Sequence, residues 1–592
     1  MASPRKRVKN EQPQIRKMVS VPEPESKAYL TNLSPEILQC IIDYLDRCKG
    51  WLRALLLTCR HLYHTVLPRL YHEIQWDVYP EQRWPIFGYR QLQMLDQDNA
   101  GLQHVRSLIL SHRADDLRMS METDKYLDAA QFVYRLPKHV LTNFQWDSWH
   151  RVPSKIIQTL YTRQHSLRHL ELLHTERLMD EEYGSGPSSV LSGFSDVERL
   201  RIMPGFREPI PQVAHQFFQE PHHLRHLILE LDHMAKLDEG QDPRSGSCAG
   251  LVELFGGLGQ STVRLQTLNL AGIDLLFCRP NLVLALDIPS LESLVIRRCE
   301  HAENFLQAFR STRSKPSTMN LTSFEIYHAQ IYPTEDPDTS TEDQIPDHLL
   351  ATIDTFLTTI SPLRKLSICL RGFDRLPNVA SVARHGPSLR TLFMDVRKAK
   401  GPSPATYTSR EWKTLCTSFE RIYQLDMAFP KARVDRDLQK QVNFSDFMSS
   451  TDHMPTLRTL GIHDWPIVSA ELASEEESYS ALHCDSYQRN LASLATEIQQ
   501  CRKKSHAQKG DLNIIRFGLQ EEISNQANWG YHSVPSYFVK SRVQVLGGEE
   551  MVKMEPMSER ATWDVKGEME EYDIDFTAHH VGRFEAGVDV DV

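Results

Sequence analysis

A chain of 592 residues with 41% hydrophobic and 24% charged side chains has an ordinary globular composition and is long enough for several domains or one elongated array. Its formal net charge of −10 excludes a general nucleic-acid binder, which would carry a basic face. Ten cysteines without a pair at CxxC spacing exclude a zinc cluster and a disulfide framework, and fit reduced thiols in a nuclear or cytoplasmic setting. No run approaches about 18 apolar residues, so no membrane span is expected, and the polar, basic start is not that of a secretory signal.

Residues 1–28 carry Arg5-Lys6-Arg7, Lys9, Arg16 and Lys17 with several prolines, the composition of a disordered basic tail. Pro4 to Lys9 also has the make-up of a nuclear import signal. Residues 29–75 read as three short helices. Ser34 is suited to an N-cap and Pro35 to the first helical position. Ile37, Leu38, Ile41, Ile42 and Leu45 then recur on one helical face. Leu52 and Leu55 follow, and Cys59, Leu62 and Val66 make a third face that Pro68 is expected to end.

This stretch resembles an F-box in Leu33-Ser34-Pro35-Glu36-Ile37, Cys59-Arg60-His61-Leu62-Tyr63 and Leu67-Pro68-Arg69-Leu70-Tyr71, with the proline one place later than the family's usual Leu-Pro-x-Glu-Ile. The resemblance implies that Leu33, Pro35, Ile37, Leu38, Ile41, Leu45, Leu52, Leu55 and Leu62 form or support a docking face for the Skp adaptor of a cullin-based ubiquitin ligase. It says nothing about the target.

After a linker at 76–99, residues 100–525 repeat a unit L-x-x-L-x-L, apolar at its first, fourth and sixth places. It runs from Val105/Leu108/Leu110 and Leu141/Phe144/Trp146 to Leu457/Leu460/Ile462 and Leu512/Ile515/Phe517, thirteen copies in all. The fourth and sixth places describe a short strand with one buried face. Helical pattern lies between units, as at Ile353, Phe356, Leu357 and Ile360 and again over 491–498. Strand plus helix at spacings of mostly 26 to 42 residues is similar to the leucine-rich-repeat family, which implies an α/β fold: a stacked, curved solenoid with a parallel sheet. The family's Asn or Cys at the ninth place occurs at Cys299. Other copies carry Thr175, Asp232, Ile273, Ala329, Arg371, Arg397 or Trp465 there, so irregular turns are expected.

Residues 235–247 and 331–346 are polar insertions expected to form exposed loops, and 526–592 read as an acidic, largely disordered tail. Val-Lys-x-Glu, the acceptor pattern for the modifier SUMO, recurs around Lys9, Lys553 and Lys566.

Catalytic motifs are missing. Gly246-Ser-Cys248-Ala-Gly250 has nucleophile-elbow spacing but follows no strand, Gly256-Gly257-Leu-Gly259 lacks the third glycine of a dinucleotide loop, and His222-His223-Leu-Arg-His226 reads as surface histidine. No cofactor, metal or enzyme activity is expected. Two readings remain: a substrate receptor of a Skp–cullin–F-box ligase, or a leucine-rich scaffold that holds the adaptor or another partner without turnover. In either case a protein target is expected on the third, fifth and seventh places of the strands, with Ile228, Val295 and Phe393 as exposed apolar anchors.

Overall fold

The computed structural model describes residues 33–45, 49–77, 99–111, 125–147, 152, 154–173, 196–203, 223–230, 264–273, 275, 286–311, 320–328, 345–397, 404–429, 451, 453–463, 491–502, 512–517, 536–544 and 550–556. The chain divides into two compact units, Met1–Glu73 and Ile74–Val592.

In the first unit, α1 spans Pro35–Leu45, α2 Lys49–Leu56 and α3 Arg60–His72. Ser34 starts α1 as its sequence predicts: its carbonyl accepts from Leu38 N at 3.0 Å, and its hydroxyl lies 3.4 Å from Ile37 N. Leu38, Ile42, Leu52, Leu55, Leu62 and Val66 form one core, with Leu45, Leu56, Cys59 and Leu70 packed at its edge. Arg69 pairs with Asp43 at 3.0 Å and ties α3 to α1. Pro68 does not end α3, contrary to expectation. The helix continues to His72, because burial of Leu67 and packing of Leu70 beyond the proline offset the one backbone hydrogen bond it removes.

The second unit is α/β and solenoid-like. Its strands are β1 Glu73–Asp77, β2 Ser107–Ser111, β3 Asn143–Asp147, β4 His169–Leu173, β5 Arg199–Met203, β6 His226–Glu230, β7 Thr267–Ala271 and β8 Ser293–Arg297. They continue with β9 Ser323–His328, β10 Lys365–Arg371, β11 Thr391–Arg397, β12 Gln424–Met427, β13 Thr459–Ile462, β14 Ile514–Phe517, β15 Ser536–Gln544 and β16 Glu550–Pro556. All sixteen lie in one sheet in sequence order. From β2 to β14 the pairing is parallel; β15 and β16 are antiparallel.

Each of the thirteen L-x-x-L-x-L units supplies one strand, and the register aligns their places. The fourth place runs Leu108, Phe144, Leu170, Leu200, Leu227, Leu268, Leu294, Phe324, Leu366, Leu392, Leu425, Leu460, Ile515 without a slip. The first, fourth and sixth places are buried in every unit, so the apolar residues stack as three continuous rows. A backbone ladder runs beside them. At every junction from β2 to β14, the second-place carbonyl accepts from the second- and third-place N–H groups of the next unit, as Arg364 O does from Arg390 N and Thr391 N.

The expected helical segments are present. Helix α4 spans Lys125–Arg135, α5 Ser154–Arg163, α6 Ala302–Ser311, α7 Ile345–Thr359, α8 Val379–Ala383 and α9 Ser409–Ser418, with a further helix over 491–502. Phe356 of α7 meets Phe324 of β9 at 5.0 Å and Phe309 of α6 at 5.9 Å, so one ring ties a strand to two helices.

The turns vary as expected. Backbone of positive φ falls directly after β7, β8 and β10, at Gly272, Arg298 and Gly372, and again at His301, while among the described residues no other strand is followed by one. At the ninth place, the Cys299 thiol donates to Leu270 O of the neighbouring unit at 3.4 Å. A second set of rungs was not foreseen. Ser290, Ser388 and Thr456 each precede a first-place residue, and their hydroxyls donate to the preceding unit's first-place carbonyl, at Leu265, Leu363 and Ile422 (2.7–2.9 Å).

The segment at 526–592, expected to be largely disordered, contains β15 and β16. Met554 of β16 is fully buried, and its N–H donates to Thr496 Oγ1 at 3.1 Å on the helix over 491–502. The insertion 235–247 lies outside the described residues, as does 331–346 except where α7 begins.

Candidate functional site

Two surfaces concentrate unused chemistry. The first is on the three-helix unit, where the structure separates the nine expected docking residues. Leu38, Leu52, Leu55 and Leu62 belong to the unit's own core, and Leu45 packs on it. Leu33 and Ile41 are half-buried, while Pro35 is exposed. Ile37 is 52% exposed, Tyr44 83%, Trp51 64% and Leu57 82%. Ile37, Ile41 and Tyr44 follow at i, i+4 and i+7, so α1 has an inner apolar face filled by Leu38 and Ile42 and an outer apolar stripe. The sequence reading missed Tyr44, Trp51 and Leu57. The signal was there: the apolar residues of 29–75 exceed what three short helices can enclose.

The second surface is the sheet face opposite the buried leucines. Its charges are organised across strands. Arg201 on β5 donates to Glu230 on β6 at 2.9 Å and lies 3.6 Å from Glu171 on β4, which Arg199 also approaches at 3.5 Å. Glu325 on β9 is buried between Arg297 on β8 (2.7 Å) and Lys365 on β10 (3.7 Å); burial lowers the Lys365 pKa despite that carboxylate. Between these clusters Ile228, Asn269 and Val295 sit side by side on β6, β7 and β8, all half-buried. The Asn269 Oδ1 atom is buried and accepts no hydrogen bond among the described residues.

Phe393, expected to be exposed beside them, is only 4% exposed. It is packed with Cys369 and Tyr327, and its ring lies 5.1 Å from that of His463. The reason is a change along the face: from β9 onward Glu325, Ser367, Cys369, Thr391, Asp395, Asp426 and His463 are all buried. Buried charge there is paired. Asp395 receives Arg397 Nε at 3.0 Å and Arg371 Nη2 at 2.9 Å, and Asp426 receives Arg516 Nη2 and His463 Nε2, both at 2.5 Å.

Gly461 makes the last arrangement possible. A Cβ on this residue would lie 2.0 Å from Asp426 Oδ1, so only glycine lets the carboxylate of β12 cross β13 to reach Arg516 on β14.

Of the three candidate modification sites, Lys553 is exposed on β16, paired in register with Ser541. Lys9 and Lys566 lie outside the described residues, as do the glycine-rich motifs at 246–250 and 256–259 and His222. Among the described residues, no group of three or more His, Cys, Asp or Glu could hold a metal ion, and no helix is long and apolar enough to cross a membrane. No family model matches the chain, and a search among curated proteins returned no match.

Proposed function

We propose that this protein is the substrate-recognition subunit of a Skp–cullin–F-box ubiquitin ligase, its three-helix unit being an F-box and its strand array an irregular leucine-rich-repeat solenoid. The observation that carries the reading is the outer stripe of α1. The unit's core is already complete with Leu38, Ile42, Leu52, Leu55, Leu62 and Val66, so Ile37, Tyr44, Trp51 and Leu57 are left for another protein. The likeness of residues 29–75 to an F-box names that protein as the Skp adaptor, which joins a cullin. The chain itself catalyses nothing in this scheme. It acts by proximity, holding target lysines beside a loaded conjugating enzyme.

The target is assigned to the sheet face around Ile228 and Val295, where half-buried apolar side chains sit between cross-strand ion pairs, the arrangement of an anchor within a polar rim. Phe393 is withdrawn from that assignment by its burial.

The test is co-purification of the full chain with the Skp adaptor. Ile37→Asp combined with Trp51→Ala places a charge in the outer stripe of α1 and removes the exposed ring of α2, which should cost several kcal/mol of binding and leave the helices folded. Adaptor capture unchanged in this variant overturns the reading. Ile228→Lys with Val295→Arg should leave adaptor capture intact and abolish capture of the target.

A further inference from the structure

His463 stands at the centre of a buried chain of charges that joins the last strands of the array. Its ring is fully buried, directly after β13. From β12, Asp426 Oδ1 lies 2.5 Å from Nε2. From β14, Arg516 donates to the same oxygen, which places its Nη2 3.3 Å from Nε2. From β11, Asp395 Oδ1 lies 3.9 Å from Nδ1, and the Phe393 ring covers the imidazole at 5.1 Å. Asp395 is in turn held by Arg371 of β10 and Arg397 of β11, with the Cys369 thiol 4.0 Å from its Oδ2.

These contacts fix the tautomer. A carboxylate only accepts, so Nε2 carries the hydrogen given to Asp426, and Nδ1 keeps a lone pair. Among the described residues that nitrogen has no hydrogen-bond partner. Among the described groups, Arg371, Arg397 and Arg516 face Asp395 and Asp426. A proton on Nδ1 adds a positive charge in a place closed to water, where charge is costly.

We propose that His463 is a proton-sensitive pin for the C-terminal strands: neutral, it holds Asp426 within the network that spans β10 to β14, and on taking up a proton it releases β12 to β14. Burial supports the direction, because it outweighs both carboxylates and holds the imidazole below its ordinary range. The sign follows. A histidine whose folded pKa is depressed gives its full stability above its unfolded value, near 6.5, and loses it as pH falls below that. The pin is therefore set at neutral pH and loosens in mild acid. Phe393 loses one of the side chains that cover it at the same moment, so release would expose more of this ring beside the target face.

A global melt does not isolate this site, since His385 is also buried and pushed down to about 4, mainly by burial. Its ring, however, bonds Leu363 N and Leu357 O on the helical side of the array, away from β12 to β14. The test is amide exchange of the full chain at pH 7.5 and 5.5, corrected for the intrinsic effect of pH. Peptides covering β12 to β14 should open about tenfold more at the lower pH than those covering β2 to β4, because pH 5.5 lies about one unit below the ordinary value of an imidazole exposed by opening, while the buried ring stays neutral. His463→Gln, which can donate to Asp426 but takes no proton, should abolish that increment.

Should the variant fail to fold, exchange of the histidine ring C–H in the unaltered protein reads the titration of His463 directly. A folded-state midpoint clearly below 6.5 supports the proposal. A midpoint at or above 6.5, an exchange increment equal across the array, or an increment retained in the glutamine variant overturns it.

Discussion

Ile228 and Phe393 occupy the same fifth place in their units, yet one is half-buried and the other packed beneath Tyr327, Cys369 and His463. Three substitutions separate the consequences. Leu227→Asp buries an unpaired carboxylate in the leucine row and should cost several kcal/mol. Phe393→Asp should cost a similar amount, whereas Ile228→Asp should change the urea midpoint little. Equal loss in all three would place the Ile228 side chain in the interior. Gly461→Ala is a sharper test of the charge network. The new methyl must displace Asp426 from Arg516, and breaking a buried pair costs about 3–5 kcal/mol, read as an earlier urea midpoint. The leucine rows were legible because each apolar place has the same neighbours in every unit. The burial of Phe393 was not, because its cover comes from β9, β10 and the residue after β13, which no local pattern links. Gly461 looked like a neutral fifth-place residue for the same reason; its meaning lies in Asp426 and Arg516.

At the scale of the element, side chains tie down the ends of particular helices and strands. Helix α9 opens with a capping box: Thr408 Oγ1 accepts from Glu411 N at 3.3 Å, and Glu411 Oε2 accepts from Thr408 N at 2.9 Å. The hydroxyl of Thr408 also donates to that carboxylate, and these bonds hold the Glu411 pKa below its usual value. Thr408→Ala should destabilise α9 by about 1 kcal/mol, seen as faster amide exchange over residues 409–418 with little change elsewhere. Buried polar side chains make similar ties at unit boundaries. Gln164, His385 and Gln499 each accept from the N–H of a first-place leucine, Leu141, Leu363 and Leu512. The Thr-x-x-Glu spacing was readable in advance. The Gln and His ties were not, since the residues lie 13 to 23 positions from their partners and at no constant offset.

At the scale of the whole molecule, the second unit stays a stack because each strand pairs only with its sequence neighbours, and the stack needs an end. The hairpin of β15 and β16 supplies one by reversing strand direction against β14. The sequence did carry the signal, in Tyr537-Phe538-Val539 and the Gly547-Gly548 pair, but the acidic composition of the surrounding tail obscured it. Ending the chain after residue 535 should leave β14 as a bare edge and deprive Thr496 of Met554. The expected outcome is faster exchange over β13 and β14 and self-association by light scattering; exchange matching the full chain would deny the hairpin this role. The sequence-ordered sheet also bears on synthesis. As the chain leaves the ribosome, each new strand from β2 to β14 meets a partner that has already been made. The array can therefore grow one layer at a time against a finished edge, without waiting for distant segments. The three helices at residues 35–72 are complete before any of these layers, so a nascent chain carries its outer α1 stripe well before its target face exists.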